Sequence, residues 1–334
     1  MSELRRDPVG GRWVIMDTDH PNKPEDYEYE PHTFKGGTCP FCYGNEAMTP
    51  PEIAAIREPD TYRNGPGWKV RVVPNKFPAL AIEGDLERRG VGLYDMSNGV
   101  GAHEVLIESP YHQKDIPDLL NQEVENFLSM YCQRAFDLRR DSRFKYIMIF
   151  KNLGAAAGAS LEHPHTQIVA LPMVPKNVME ELKGASNYFE YRERCLFCDL
   201  IRQERQEKER IILENDYFLS FCPFASRFPF EIWIIPKKHS SYFCDVAAIP
   251  QSIPALAAIL RETISKIKKV FVDLSYNFII HSSPVNGDSG DWESYHWHIE
   301  FMPKLTRVAG FEWGTGFYIA TTPPELAAKY LRET

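Results

Sequence analysis

The 334-residue sequence has no apolar run long enough to cross a membrane and no apolar stretch near its N-terminus. We therefore expect no transmembrane helix, which would need about 18 successive apolar residues, and no signal peptide. Basic residues are in the minority, with 38 Lys and Arg against 46 Asp and Glu and a net charge of −8. This balance argues against a nucleic-acid backbone as the partner, but it allows a small anionic substrate bound at a local site.

Cysteine is scarce and odd in number, with seven residues in the chain. Four of the cysteines form two Cys-x-x-Cys pairs, Cys39/Cys42 and Cys195/Cys198. In a chain without an export signal, such pairs indicate metal binding or redox chemistry rather than a disulfide framework. We therefore expect a cytoplasmic protein.

The chain contains an internal repeat with a period of about 150 residues, which indicates a duplicated domain rather than a solenoid. Each half runs from a Cys-x-x-Cys pair through strand-like stretches to a Glu, an apolar run and a His, then through a helix and a strand to a His-x-His motif. The matched segments are 104–112 and 231–239, the helical stretches 121–138 and 251–269, the strands 146–150 and 276–280, and the motif segments 163–172 and 296–303.

This order of elements predicts an α+β fold with a mainly antiparallel sheet, because short turns join several of the strands. Helical spacing of apolar residues supports the two helices, and β-rich composition supports the strands that follow them. We expect an N-terminal catalytic domain at residues 1–180 and a C-terminal domain at residues 181–334, since the strand pattern breaks near 172–190.

The repeat also selects metal ligands. Zinc prefers four thiolate and imidazole ligands in a tetrahedron, and the repeat matches His112 with His239 and His163 with His296. The sequence thus predicts two structural sites, one of Cys39, Cys42, His112 and His163, and one of Cys195, Cys198, His239 and His296. Redox pairs or cysteines packed as small apolar residues are the alternative. Zinc is the expected metal at both sites, with iron possible at the second.

The segment His163-Pro-His165-Thr-Gln167 carries the predicted chemistry. Alternate side chains of a strand share a face, so His163, His165 and Gln167 point the same way. A metal on His163 would fix the strand, and His165, a good nucleophile when neutral, could then attack a phosphorus atom. Gln167 could donate a hydrogen bond to the phosphoryl oxygen. The preceding small-residue loop, 152–160, suits close approach of backbone N–H groups to phosphates.

The residues resemble the galactose-1-phosphate uridylyltransferase family, a branch of the histidine-triad superfamily. The matching segments are DPVGGRWVI, CPFC, VPNKFPAL, ESPYH, FKNLGAAAGASLEHPHTQ, HWHIEFMP and GFEWGTGFYI. The resemblance implies two tandem histidine-triad-like domains, each a mainly antiparallel sheet with packed helices, in a homodimer. It also implies a ping-pong reaction in which UDP-glucose uridylylates the histidine and galactose 1-phosphate accepts the UMP, so the partners are a nucleotide sugar and a sugar phosphate.

By position, the resemblance makes His165 the nucleophile and Gln167 its phosphoryl partner. It places nucleotide or phosphate contacts at Asn75, Asn152, Gly158 and Ser160. The segment GFEWGTGFYI is closer to a plant-type branch that resembles ADP-glucose phosphorylases, in which phosphate is the acceptor. Adenylyl transfer to phosphate is therefore one alternative to uridylyl transfer, and a non-enzymatic, zinc-stabilised nucleotide-binding protein is another.

In the second half, His298 takes the place of His165 and Glu300 the place of Gln167. We interpret His298 as non-catalytic, because the acidic loop before it would repel a phosphate. A metal held by His298 with His281 or Glu300 is the alternative.

Overall fold

A computed structural model describes residues 1–33, 36–286 and 292–334. No helix within these ranges has the length and apolar character needed to span a bilayer. The strands are β1 (Glu3–Arg6), β2 (Trp13–Met16), β3 (Ala54–Arg57), β4 (Trp68–Pro74), β5 (Arg89–Val91), β6 (Tyr94–Met96), β7 (Ala102–Ile107), β8 (Tyr146–Leu153), β9 (His165–Leu171), β10 (Ile211–Glu214), β11 (Phe218–Phe221), β12 (Ile232–Pro236), β13 (Tyr276–His281), β14 (His298–Pro303) and β15 (Tyr318–Ala320). The α-helices are α1 (Asn121–Leu138), α2 (Lys176–Arg192), α3 (Leu196–Glu207), α4 (Ser252–Val270), α5 (Gly310–Thr315) and α6 (Pro324–Arg332).

One ten-stranded sheet runs through both halves in the order β10-β11-β12-β14-β13-β8-β9-β7-β4-β3. Every neighbouring pair in it is antiparallel, which confirms the α+β fold and the mainly antiparallel sheet. Each half contributes five strands, and the halves meet where β8 pairs with β13. The sequence predicted a sheet in each domain but did not reveal that the two sheets join edge to edge.

The helices α1 and α4 cover one face of this sheet in a single core. The predicted apolar positions of α1 are all buried: Val124, Phe127, Leu128, Tyr131, Ala135 and Leu138. Leu256, Ile259, Leu260, Ile264 and Ile267 of α4 enter the same core. Burying a large apolar side chain contributes roughly 1.5–3 kcal/mol, so these two stripes hold both helices against the sheet.

The other face of the sheet is covered differently in the two halves. In the second half, α2 and α3 bury it with side chains that include Leu182, Ala185 and Phe197. In the first half, the Cys39–Cys42 segment covers part of that face, with Phe41 against Val73 and Val105. The first half therefore keeps open space above its strands, where the second half has two helices.

A three-stranded sheet, β1-β2-β15, joins the two ends of the chain, with β15 parallel to β2. The first 16 residues therefore lie beside the C-terminal strand rather than in the sheet of their own half. The predicted domain boundary between residues 180 and 181 falls inside α2. A separate exposed hairpin is formed by β5 and β6.

Candidate active site

His165 lies at the first position of β9, on the sheet face opposite α1. Its Nδ1 atom is 2.8 Å from the backbone oxygen of His163, and the ring of Phe41 packs against it with centroids 5.3 Å apart. Burial lowers the pKa of His165 to about 4. The ring is therefore neutral at pH 7, with its proton on Nδ1 donated to the carbonyl and the lone pair of Nε2 available as a nucleophile.

The opposite face of the same strand is anchored by a buried polar network. Thr166 donates a hydrogen bond of 2.6 Å to Glu108 and lies 2.6 Å from the hydroxyl of Tyr131. Glu108 also accepts a hydrogen bond from the buried ammonium group of Lys151. Because each buried polar group has a partner, the network resists rotation or slippage of β9, which keeps His165 and Gln167 in fixed positions.

A cavity of about 470 Å³ opens in front of His165. It is lined by the predicted site residues Asn75, Ser160, His165 and Gln167, together with Phe41 and Phe77. Its apolar walls and few convergent polar groups are typical of a small-molecule site. The structure thus brings together four of the six residues predicted for nucleotide binding and catalysis.

The other two residues, Asn152 and Gly158, do not line this cavity. The side-chain oxygen of Asn152 accepts a hydrogen bond of 2.8 Å from Asn277 of β13. Gly158 has φ +87°, a left-handed conformation that glycine adopts without strain. Both residues therefore shape the loop that leads to Ser160, and their predicted contact with phosphate stays a prediction.

Gln167 is held by a histidine that the sequence reasoning did not select. The side-chain oxygen of Gln167 is 2.7 Å from Nε2 of His103, which lies in β7. In the antiparallel register Val105 is opposite Gln167 and His103 is two residues further along, so His103 and Gln167 are diagonal neighbours on one face. Strand alternation alone could have placed His103 on this face, but not next to Gln167.

The first predicted ligand group is assembled. One donor atom from each of Cys39, Cys42, His112 and His163 lies within 4.8 Å of the others. Sγ of Cys42 is 3.1 Å from Nδ1 of His112 and 3.7 Å from Nδ1 of His163. A tetrahedral zinc ion would separate sulfur and nitrogen ligands by roughly 3.6 Å. These residues therefore fit zinc.

The second predicted group, Cys195, Cys198, His239 and His296, is assembled in the same way. Sγ of Cys198 is 3.6 Å from Nδ1 of His239 and 3.7 Å from Nδ1 of His296. The Nε2 atoms of these two histidines lie 2.6 and 2.9 Å from the backbone oxygens of Glu293 and Pro236. In the first group Nε2 of His163 is likewise 2.9 Å from the oxygen of Ser109. Such bonds orient a metal-binding imidazole, so both groups fit the same kind of ion.

His298, the counterpart of His165, is packed among other side chains of the described residues. Its ring is fully buried, stacked on Trp233 with centroids 4.5 Å apart and on His281 with centroids 4.9 Å apart, and Phe197 of α3 lies 5.3 Å away. The acidic loop from which the sequence predicts a non-catalytic His298 includes residues 287–291, which lie outside the described residues. The packing of aromatic rings gives a different physical reason for the same interpretation.

His298 is also part of a third group of potential metal ligands, with Glu181 and His281. The sequence predicts His281 or Glu300 as the partner of His298, whereas this group contains His281 together with Glu181 from α2. Burial opposes a charge on His281, but the carboxylates of Glu181 and Glu300 raise its pKa to about 10. Glu300 is in turn bound by Arg227.

Comparison with known proteins identifies the family. The model of the N-terminal domain of galactose-1-phosphate uridyl transferase matches residues 1–175, and the model of its C-terminal domain matches residues 181–315. The chain belongs to the galactose-1-phosphate uridylyltransferase family. As a member of this uridylyltransferase family, whose proteins are named transferases and phosphorylases, it is a nucleotidyltransferase.

Several uridylyltransferase-family relatives match nearly the whole chain. ADP-glucose phosphorylase of Arabidopsis thaliana is 39% identical over 99% of this chain and 92% of that protein. The crystal structure of that species' ADP-glucose phosphorylase with bound ADP-glucose has a TM-score of 0.82 at 38% identity, covering 100% of this chain and 99% of that one. Galactose-1-phosphate uridylyltransferase of Thermotoga maritima is 28% identical over 100% of this chain and 99% of that protein.

Proposed function

We propose that this chain transfers a nucleotidylyl group through a covalent bond to His165, with ADP-glucose as donor and phosphate as acceptor. The geometry of His165 carries the proposal: its Nε2 lone pair faces a cavity that Asn75, Ser160 and Gln167 also line. The choice of ADP-glucose rests on the 39% identity to ADP-glucose phosphorylase over nearly the full chain. Adenylyl transfer is thus ranked above uridylyl transfer here, whereas the sequence alone favoured uridylyl transfer.

In the first half-reaction, Nε2 of His165 attacks the α-phosphorus of the nucleotide sugar. The P–N bond forms as the P–O bond to the β-phosphate breaks, and glucose 1-phosphate leaves with the electron pair. The ring becomes positively charged, and its Nδ1–H bond to the oxygen of His163 stabilises that charge. The amide of Gln167 donates to a phosphoryl oxygen as its charge grows.

In the second half-reaction, an oxygen of inorganic phosphate attacks the same phosphorus, and the P–N electron pair returns to Nε2. ADP is released and His165 is neutral again. The attacking phosphate oxygen is already ionised at neutral pH, so the step needs no general base. Burial of His165, which is 8% exposed, limits the access of water, which would hydrolyse the intermediate.

Zinc is proposed at both Cys2His2 groups, where it would supply a rigid cross-link rather than reactive chemistry. In the first group, His163 is two residues from His165, and its other ring nitrogen bonds to Ser109. His163 therefore fixes the carbonyl that orients His165, whichever nucleotide is bound.

Intact-mass measurement after incubation with ADP-glucose, without phosphate, tests the proposal. We expect one added AMP per chain that is labile to acid, and no addition in His165→Asn. The exposed His20 offers a control, and His20→Asn should form the adduct as the unmodified protein does. An AMP adduct of normal stoichiometry in His165→Asn would contradict the assignment of the nucleophile.

Uridylyl transfer from UDP-glucose to galactose 1-phosphate is the second candidate, favoured by the family models and by the Thermotoga maritima relative. Initial rates with ADP-glucose plus phosphate and with UDP-glucose plus galactose 1-phosphate distinguish the two. A UMP adduct that forms faster than an AMP adduct would favour uridylyl transfer over adenylyl transfer.

A further inference from the structure

We propose that His103 is a positioning residue, which turns the amide of Gln167 so that its NH2 group, and not its oxygen, faces the transferred phosphoryl group. The inference rests on the proposed function and adds a residue to it. His103 has its Nε2 atom 2.7 Å from the side-chain oxygen of Gln167. Gln167 lines the cavity of His165, whereas His103 lines a neighbouring cavity of about 580 Å³. Its ring therefore supports Gln167 from the side away from His165.

The backbone around His103 decides which ring nitrogen carries the proton. The amide nitrogen of Ala79 is 3.2 Å from Nδ1 of His103 and donates its hydrogen to it. A backbone N–H can only donate, so Nδ1 must offer a lone pair. The proton of the neutral ring is consequently on Nε2, which must donate. Gln167 can accept that hydrogen only with its oxygen.

A second amide also approaches Nε2. The side-chain nitrogen of Asn75 lies 3.0 Å from it, while the side-chain oxygen of Asn75 accepts a hydrogen bond of 2.9 Å from Phe77. Nε2 has a single hydrogen, and of these two groups only the oxygen of Gln167 can accept it, because an amide nitrogen donates but does not accept. The NH2 hydrogens of Asn75 are thus left for other acceptors, on a residue that also lines the cavity of His165.

The orientation of the Gln167 amide matters because its two ends have opposite effects on a phosphoryl group. The NH2 group donates to a phosphoryl oxygen as negative charge grows, whereas the amide oxygen would repel it. An unrestrained Gln side chain can present either end, since the two differ little in size. Fixing the oxygen on His103 removes the unproductive orientation, which pre-organises the site before a substrate arrives.

A double-mutant cycle on the rate of His165 labelling tests the proposal. The four proteins are the unmodified chain, His103→Leu, Gln167→Ala and the double variant, each mixed in single turnover with ADP-glucose and with UDP-glucose. We expect His103→Leu to slow labelling of His165 about tenfold, as loss of one hydrogen bond would. The substrate concentration that gives half the maximal labelling rate should change less. If His103 acts through Gln167, the double variant should be no slower than Gln167→Ala.

His103→Gln provides a conservative control, because the amide nitrogen of the new side chain reaches about as far as Nε2 of histidine and can still donate to Gln167. His103→Gln should recover part of the labelling rate that His103→Leu loses. If His103 contributed only packing, the two variants would lose labelling rate equally. Melting temperatures of all variants check folding, and His103→Gln carries the test if His103→Leu does not fold. Additive losses of labelling rate in the cycle, or equal losses in His103→Leu and His103→Gln, would overturn the role of His103 but leave the proposed function standing. Absence of any adduct in the unmodified protein would overturn the proposed function as well.

Discussion

His165 and His298 occupy the same place in the two halves of the chain but have different surroundings. The ring of His165 meets a cavity of about 470 Å³, whereas the ring of His298 is enclosed by Trp233, His281 and Phe197. Burial lowers the pKa of each to about 4, so both are neutral at pH 7. Access to a substrate, rather than protonation, separates the two histidines.

The residue two positions after each histidine is Gln167 in the first half and Glu300 in the second. Glu300 in the second half is neutralised by Arg227, but no such cation is bonded to Gln167 in the described part of the chain. Gln167→Glu would therefore place a carboxylate against the phosphoryl group. We expect labelling of His165 to slow by about 100-fold or more, comparable to loss of a donor at a developing anion. Intact-mass time courses measure it.

The control for this variant is Gln167→Asn, which keeps an amide but shortens it. It should slow labelling less than Gln167→Glu, because it adds no negative charge. Equal rates for Gln167→Glu and the unmodified protein would rule out a donor role for Gln167.

Asp115 carries a prediction about acid stability. Burial alone would raise its pKa, but the ammonium groups of Lys151 and Lys268 lower it to about 2, below the ordinary value of 3.8. A carboxyl with a lowered pKa stabilises the fold above about pH 4, and the contribution is lost as pH falls from about 4 to 2. Asp115→Asn should therefore lower the free energy of unfolding by about 2 kcal/mol at pH 7.

Urea unfolding at several pH values tests the sign of this effect. The difference between Asp115→Asn and the unmodified protein should shrink as pH falls below 4. Asp85→Asn, at an exposed carboxylate, should show little difference at any pH. A gap for Asp115→Asn that widened toward pH 2 would contradict the assigned ion pairs.

Among single residues, the sequence predicted the metal ligands from the repeat and the cavity residues Asn75 and Ser160 from the family resemblance, but it missed residues that carry neither signal. The donor atoms of each predicted Cys2His2 group lie within 4.8 Å of one another. Matched positions in two copies indicate which distant side chains lie together. Their occupancy by zinc stays a prediction. Glu181 and His103 have no repeated signal: each reaches its site through a tertiary contact, from α2 in one case and from β7 in the other. No periodicity in one sequence reports such contacts.

At the scale of elements, the two Cys-x-x-Cys segments diverge. Residues 121–138 were predicted as a helix and form α1, and 251–269 correspond to α4 within one residue at each end. In contrast, α3 begins at Leu196, directly after Cys195, while the matching segment after Cys39 forms turns. The matching segment contains Gly44, which adopts φ +90°, a left-handed conformation that favours a turn over a continuing helix. The absent helix leaves the cavity of His165 uncovered.

The two metal groups should therefore differ in what their loss does. Cys39→Ser would release the segment that positions Phe41 and His163, and we expect about one metal ion fewer per chain together with strongly reduced labelling of His165. Cys195→Ser should also lose one ion, but with a larger fall in melting temperature relative to its loss of labelling, because α3 is anchored there. Elemental analysis, melting curves and intact mass measure the three effects.

Chelation of the unmodified protein extends this test. Removal of both ions should lower the melting temperature, and added zinc should restore it. Metal content unaffected by either cysteine substitution would contradict the proposed sites. Greater loss of labelling in Cys195→Ser than in Cys39→Ser would contradict the assigned division of roles.

At the scale of the whole molecule, the joined sheet makes the halves interdependent. Residues 1–175, which match the family's N-terminal domain, would on their own expose the edge of β8 and lose the pairing of β2 with β15. Unpaired strand edges promote association. We expect this fragment to be insoluble or self-associated, as measured by size-exclusion chromatography with light scattering. A monomeric fragment with cooperative unfolding would contradict the interdependence.

The predicted homodimer of the full chain stays a prediction, which the same light-scattering measurement checks. The domain limits at residues 180 and 181 also stay a prediction. The sequence did not predict that β1 and β2 form a sheet with β15. Short strands at opposite ends of a chain have no periodic signal that pairs them.

The junction of β8 and β13 has a consequence for the history of the chain. Ile149 is opposite Ile280 and Phe150 is opposite Ile279, and the repeat, which matches Tyr146 with Tyr276, exchanges these two pairs. The contact is thus what two identical strands would make about a twofold axis. An ancestor of half the length could have assembled the same sheet from two separate copies, each with its own reactive histidine. Fusion of the copies would then have allowed one histidine to be enclosed by helices without loss of the reaction.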